Sequence, residues 1–181
     1  QPVATGERVE VIEFFFYACP YCNELEPLLE RWRKRKPADT AFRRVPVVRH
    51  DSWVPLAKTY YALDAMGMVD KLHHEVFAAI HAKRVRLQDP KEIFDWVAGK
   101  GVDREKFVST YNSFAVQGRT QRSIDMTRNY DIPGTPALVI DGKYLIAPSM
   151  TLKADKSIDY DRFFQAVDQL IAQARKNRGG K

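Results

Sequence analysis

The segment Val9-Glu10-Val11-Ile12-Glu13-Phe14-Phe15-Phe16 is β-branched and aromatic almost without interruption. Such a run reads as a strand buried on both faces. Two cysteines follow at once, Cys19 and Cys22, spaced as C-x-x-C. Glu24 to Arg35 then shows helical spacing through Leu25, Leu28, Leu29 and Trp32. Pro20 suits the first helical position, where its missing N–H would be unpaired anyway. Pro27 lies inside this helix and predicts a kink. Pro37-Ala38-Asp39 closes the helix, and Ala41 to Val48 reads as a second strand. The result is a β-α-β unit whose strands are expected to be parallel.

The pattern then changes. From about Ser52 to Tyr130 it is helical throughout, with breaks at Gly67, Asp89-Pro90 and Gly99 to Gly101. Trp53, Leu56, Tyr60 and Leu63 form one stripe, and Val69, Leu72, Val76 and Ile80 form the next. Ile93, Trp96 and Val97 mark a short third helix. Asp103 is placed to cap the fourth, with Val102 and Phe107 as its hydrophobic staple. A final helix of this group carries Val116, Ile124 and Tyr130. Strand patterning returns at Ala137-Leu138-Val139-Ile140, turns at Asp141-Gly142, and comes back through Lys143 to Ile146. A last helix runs from about Tyr160 to Ala174, capped by Asp159. Its apolar face is Phe163, Phe164, Val167, Leu170, Ile171 and Ala174. The order β-α-β, helices, β-β-α makes one α/β layer structure from residues 1–50 and 131–181, interrupted by an all-helical insertion at 51–130.

Bulk properties exclude several classes. The 181 residues suffice for one domain carrying an insertion. The net charge of +6 is spread along the chain rather than gathered in a basic stripe with interleaved aromatics, so nucleic acid is not an expected partner. The densest basic clusters read as a solvated helix end (Arg31 to Lys36) and a frayed tail (Arg175 to Lys181). No apolar run is long enough to span a bilayer. The opening Gln1-Pro2-Val3-Ala4 has neither a basic nor an apolar leader segment, so a signal peptide was either never present or has been removed. Two cysteines do not make a disulfide scaffold, and a four-ligand zinc site would need two more ligands. His50, His73, His74 and His81 form no i,i+4 pair with one another and read as surface or partly buried helix positions.

The chemistry is therefore expected in Cys19-Pro20-Tyr21-Cys22. Cysteines at i and i+3 can bridge when the first sits at a helix start, leaving that sulfur exposed and the second tucked beneath it. First-turn N–H groups and the helix dipole favour thiolate over thiol at Cys19, so its pKa is expected to be depressed. A thiolate attacks disulfides and is also a good leaving group. Cys22 is the expected resolving thiol. Glu13 points to the same strand face as Val11, so it should be buried with a raised pKa. It reads as a proton acceptor and donor for Cys22, or as a buried acid satisfied by an arginine such as Arg44, and the two readings are compatible. Gly134-Thr135-Pro136 directly precedes the later strand, and Pro136 is expected to be cis, whereas nearby Pro133 reads as an ordinary trans loop proline. Thr135 is expected to offer backbone hydrogen bonds to an extended substrate.

Taken together, Val11 to Phe15 leading into Cys19-Pro20-Tyr21-Cys22, the helical insertion, and Thr135 through Tyr144 resemble the DsbA family. The likeness covers nearly the whole chain. It implies an α/β thioredoxin fold with an inserted all-helical domain, a removed signal peptide and a periplasmic location. It implies a dithiol oxidase that donates its disulfide to newly exported proteins and is re-oxidised by the inner-membrane quinone reductase DsbB. Cys19 then takes the nucleophile role, Cys22 the resolving role, Pro136 the cis-proline role with Thr135 before it, and Glu13 the buried-acid role, with Arg44 roughly where a basic partner falls. No cofactor is expected beyond the redox-active Cys19–Cys22 disulfide, no metal, and the expected state is a monomer. The best-known members have histidine after the motif proline, whereas this chain has Tyr21, the Pro-Tyr dipeptide familiar from glutaredoxins. The alternatives are a reductase or isomerase on the same fold, or a peptide-binding chaperone that retains the motif.

Overall fold

The computed structural model describes Val3 and residues 5–179. In chain order the elements are β1 (Val9–Phe15), α1 (Pro20–Arg35), β2 (Thr40–Pro46), α2 (Val54–Ala65), α3 (Val69–His81), α4 (Pro90–Gly99), α5 (Arg104–Tyr111), α6 (Phe114–Asn129), β3 (Ala137–Ile140), β4 (Tyr144–Ile146) and α7 (Tyr160–Gly179). They fall into two compact units, one of Gln1–Phe15, Glu24–Val45 and Ile132–Lys181, the other of Phe16–Asn23 and Pro46–Asp131. The boundary crosses the first turn of α1, so the cysteine motif groups with the helices α2 to α6.

The first unit is built on a sheet in the order β2-β1-β3-β4. Every residue of β1 is buried, as its composition predicts. β3 runs antiparallel to it, with Val11 opposite Ile140 and Glu13 opposite Leu138. Val9, Val11, Leu138 and Ile140 share a core with Leu25, Leu29 and Trp32 of α1 and Phe163, Val167, Ile171 and Ala174 of α7. Burial of each of the larger side chains contributes roughly 1.5–3 kcal/mol. The β3–β4 turn has positive φ at both Asp141 and Gly142, the mirror-type hairpin turn that Asp-Gly specifies. Asp159 caps α7 by accepting the Arg162 N–H at 3.0 Å.

Some boundaries move. The second strand begins at Thr40 and ends at Pro46, which has no N–H to continue a ladder. The basic tail is not frayed through Gly179, since α7 continues that far. Arg175 donates to both carboxylate oxygens of Asp39 and Arg178 is paired with Asp141, which holds the last turns to the sheet unit. Gly180 and Lys181 lie outside the described residues.

In the second unit α2 packs on α3, α5 and α6. Its buried positions, Leu56 through Leu63 with only Lys58 outside them, run nearly all round it, as a central helix requires. Asp89, Asp103 and Ser113 each cap a following helix through a side-chain oxygen. Residues 82–89 are not helical, so the helical pattern is interrupted over a longer stretch than Asp89-Pro90 alone. The buried face of α6 also differs from the Val116, Ile124 and Tyr130 stripe. It is Val116, Thr120, Ser123 and Thr127. Thr120 and Thr127 return their hydroxyls to the carbonyls four residues back, and Ser123 bonds the Tyr61 hydroxyl, so small polar groups are satisfied in a packed interface.

Candidate active site

β1 ends at Phe15 and α1 begins at Pro20, and the four residues between them deliver the first cysteine. Phe16 to Cys19 form a turn closed by the Cys19 N–H donating to the Phe16 carbonyl at 3.0 Å. The Cys19 carbonyl accepts the first intrahelical bond, from the Asn23 N–H at 3.1 Å. Cys19 is thus the residue that caps α1, and Pro20 occupies the first helical position without leaving an N–H stranded. Cys19 is half-buried and Cys22 is fully buried. Tyr21 projects outward, with 56% of its surface exposed. Cys19 is less buried than Cys22, in the expected order though not fully exposed, at the positive end of a helix of 16 residues.

In the sheet unit, Glu13 is fully buried and meets Arg44 of β2, whose Nε donates to Glu13 Oε2 at 2.8 Å. The same guanidinium donates through Nη2 to Glu26 Oε1 at 3.1 Å and to Glu30 Oε1 at 2.6 Å, both on α1. Its plane lies over the Phe42 ring, 5.2 Å from the centroid. Glu13 Oε1 has no hydrogen-bond partner among the described residues. Burial pushes the Glu13 carboxyl up, Arg44 pulls it down, and the neighbouring Glu26 and Glu30 charges push it up again, leaving it at about 7. Burial works against the Arg44 charge, but Glu13, Glu26 and Glu30 outweigh it and hold the guanidinium above its ordinary value. Burial would also raise Glu30, yet hydrogen bonds and charges from Arg44 and Arg33 hold it below the usual range. The two partners of the Arg44–Glu13 pair thus lean apart, one held charged and the other held partly protonated. The charge count decides between them. Arg44 and Arg33 face three carboxyls, and the least solvated of the three, Glu13, is the one pushed toward its protonated form.

The Thr135–Pro136 bond is cis, and Pro136 directly precedes β3 in the sheet unit. Pro133 is trans.

Two groups of residues around the motif and Glu13 were not singled out by the sequence. Glu26 and Glu30 follow Cys22 at successive helical turns, and that i, i+4, i+8 spacing was the available signal. The second group is histidine. His50 and His74 are exposed and His81 is half-buried, but His73 is buried, contrary to a surface or partly buried position. Its Nδ1 lies 2.7 Å from the Tyr17 hydroxyl. His81 Nε2 lies 2.7 Å from the Tyr17 carbonyl oxygen. His73, Phe77 and His81 share a face of α3 at i, i+4 and i+8, which a search for histidine pairs at i+4 passes over. Among the described residues no group of three or more His, Cys, Asp or Glu side chains is disposed to hold a metal ion. No helix among them is long and apolar enough to cross a membrane.

Residues 29–157 match the family described as DSBA-like thioredoxin domain. That match begins after the cysteines, but relatives align across them. The chain is 41% identical over 175 residues to the thiol:disulfide interchange protein DsbA of Bordetella parapertussis, covering 97% of this chain and 81% of that one. It is 39% identical over 168 residues to DsbA of Pseudomonas aeruginosa, covering 89% and 80%. The crystal structure of Pseudomonas aeruginosa DsbA superposes with a TM-score of 0.88 at 34% identity, over 98% of this chain and 89% of the other. That of the oxidoreductase DsbA from Xylella fastidiosa gives 0.86 at 30% identity, over 97% and 91%. The fold is therefore thioredoxin-like, with α2 to α6 falling between β2 and β3 in the chain. With a C-x-x-C pair at the start of α1 on that fold, the chain belongs to the DsbA-like thioredoxin-domain family and is a thiol–disulfide oxidoreductase.

Proposed function

We propose that the chain oxidises newly exported proteins in the bacterial periplasm by donating its Cys19–Cys22 disulfide. The observation that carries this reading is the half-exposed cysteine capping α1 with a fully buried cysteine in the first turn. A substrate thiolate attacks Cys19 Sγ, forming a mixed disulfide and releasing Cys22 as the leaving sulfur. A second substrate thiolate attacks its own sulfur in that mixed disulfide, forming the substrate disulfide and releasing Cys19 as a thiolate. Two substrate thiols lose two electrons, and the pair Cys19 and Cys22 gains them. Glu13, with a carboxyl near half-protonation at neutral pH, supplies the proton that Cys22 takes up and recovers it from solvent. Thr135 pairs its backbone with an extended substrate segment, and Pro136 takes the cis-proline role. The chain acts as a monomer, needs no cofactor beyond its own disulfide, and is returned to the oxidised state by an inner-membrane re-oxidase of the DsbB type.

The helix N-terminus gives the direction. It stabilises a Cys19 thiolate in the folded chain and is absent in the unfolded one, so folding favours the reduced form. A thiol whose folded pKa is depressed contributes this stability fully above its unfolded value and loses it as pH falls through the folded one. Between the two values the contribution is partial, and neutral pH falls there. Oxidised chain mixed with a reduced, unfolded protein should yield one substrate disulfide per chain consumed. Replacing Cys19 with Ser should abolish transfer. A double Cys→Ser variant that still promotes refolding would favour the chaperone alternative, and net reduction of a substrate disulfide would favour the reductase.

A further inference from the structure

We propose that His73 and His81 are positioning residues for the Cys19 nucleophile, acting through Tyr17, an inference that rests on the thiolate role just given to Cys19. In the turn from Phe16 to Cys19 the closing hydrogen bond ties the two ends. It leaves the central peptide, Tyr17–Ala18, able in principle to face either way, the two orientations being those of type I and type II turns. The flipped form would require positive φ at Ala18, which Ala18 does not have. The carbonyl of that central peptide belongs to Tyr17, and it accepts from His81 Nε2 at 2.7 Å. A carbonyl cannot donate, so the His81 ring presents Nε2–H there. At the other end of the same residue, the Tyr17 hydroxyl meets His73 Nδ1 at 2.7 Å. The Tyr17 ring packs edge-on against Phe77, 5.0 Å between centroids, from the same face of α3.

One step earlier, the Phe16 ring stacks on Trp53 at 3.9 Å with the planes 5° apart. The residues that lead into the nucleophile are therefore held from outside at a ring, a carbonyl and a hydroxyl. Cys19 follows two residues after Tyr17, with its N–H closing the turn and its carbonyl opening α1. The stabilisation of a thiolate by a helix terminus falls off within the first turn. Its strength therefore depends on how Cys19 is oriented over that turn, and Tyr17 fixes this orientation. His81 and His73 in turn fix Tyr17.

The test is the Cys19 titration, followed by the ultraviolet absorbance of the thiolate, together with the redox equilibrium against glutathione. His81→Ala should raise the Cys19 pKa and reduce the preference for the reduced form about tenfold. His81→Gln carries an amide N–H that reaches the same carbonyl, and it should restore both to within a factor of about two. Tyr17→Phe keeps the carbonyl bond and should move both less than His81→Ala does. A merely structural role would lower the stability of oxidised and reduced forms alike and leave the equilibrium unmoved. Folded His81→Ala within a factor of about two of the parent on both readouts overturns the proposal. If His81→Ala does not fold, His81→Asn, whose shorter amide falls short of the carbonyl, takes its place with the same two outcomes. The failures are separable. A parent Cys19 titrating like an ordinary thiol sinks the thiolate reading itself, whereas a depressed parent value shared by the variant sinks only the positioning role.

Discussion

Each unit of the molecule buries a polar node, and these two are built on different physics. The sheet unit gathers Glu13, Glu26 and Glu30 on the single guanidinium of Arg44. The helical unit holds Tyr17 between His73 and His81 by two hydrogen bonds of 2.7 Å. The first node is electrostatic, with more acids than bases, so its protonation adjusts to the imbalance and it answers to pH. The second is geometric, and its value lies in where it holds a peptide. Burial makes both expensive to leave half-made, but in different amounts, because an uncompensated buried charge costs more than an unmet hydrogen bond.

That contrast orders the expected effects. Arg44→Met removes the guanidinium that pairs with the buried Glu13 and Glu26, while Glu30 keeps Arg33, and it should destabilise the fold by about 3–5 kcal/mol at pH 8. Much of the loss should be recovered toward pH 5, as the acids take up protons, and denaturant unfolding at the two pH values measures this. A loss independent of pH would mean that Arg44 acts by packing on Phe42 rather than by charge.

Glu13→Gln should act in the opposite direction. An acid raised to about 7 on folding stabilises the fold below its unfolded value and loses that contribution as pH rises through 7. The parent should therefore lose stability between about pH 4.5 and 7 on this account, and the variant should not. The stability difference in favour of Glu13→Gln should grow by about 2–3 kcal/mol from pH 5 to pH 8, read from paired urea curves. A flat difference would put Glu13 in the ionised form throughout and remove it as a proton source.

Tyr17→Phe should cost about 1–3 kcal/mol at pH 8, the value of a buried hydroxyl–imidazole bond. A loss as large as that of Arg44→Met would erase the distinction between the two nodes.

The sequence carried the strands, the helix starts and the chemistry well, because each has a local signature. The apolar run of β1, Pro20 at the head of α1, Asp103 and Asp159 as caps and Asp-Gly in the hairpin all act through neighbours a few residues away. Glu13 was legible as an acid among apolar residues, and Arg44 as its partner by strand adjacency. What escaped depended on helix faces meeting other elements. Glu26 and Glu30 look like ordinary solvated residues until β2 brings Arg44 over them. His73 looks like a surface residue until Tyr17, from 56 positions away, meets it. The α6 face misled for a related reason: threonine hydroxyls satisfied by their own helix pack as if apolar, so the buried stripe is not the apolar one.

On the function proposed, folding favours the reduced pair, so that the chain gives its disulfide away. A cross-link ordinarily stabilises a fold by restricting the unfolded chain, but the loop closed by Cys19 and Cys22 is short and this opposing contribution is correspondingly small. The most direct measurement is a pair of urea unfolding curves at neutral pH, one on the oxidised chain and one with reductant present. The later midpoint is expected for the reduced form. A more stable oxidised form would contradict it, and would make the chain a reductase.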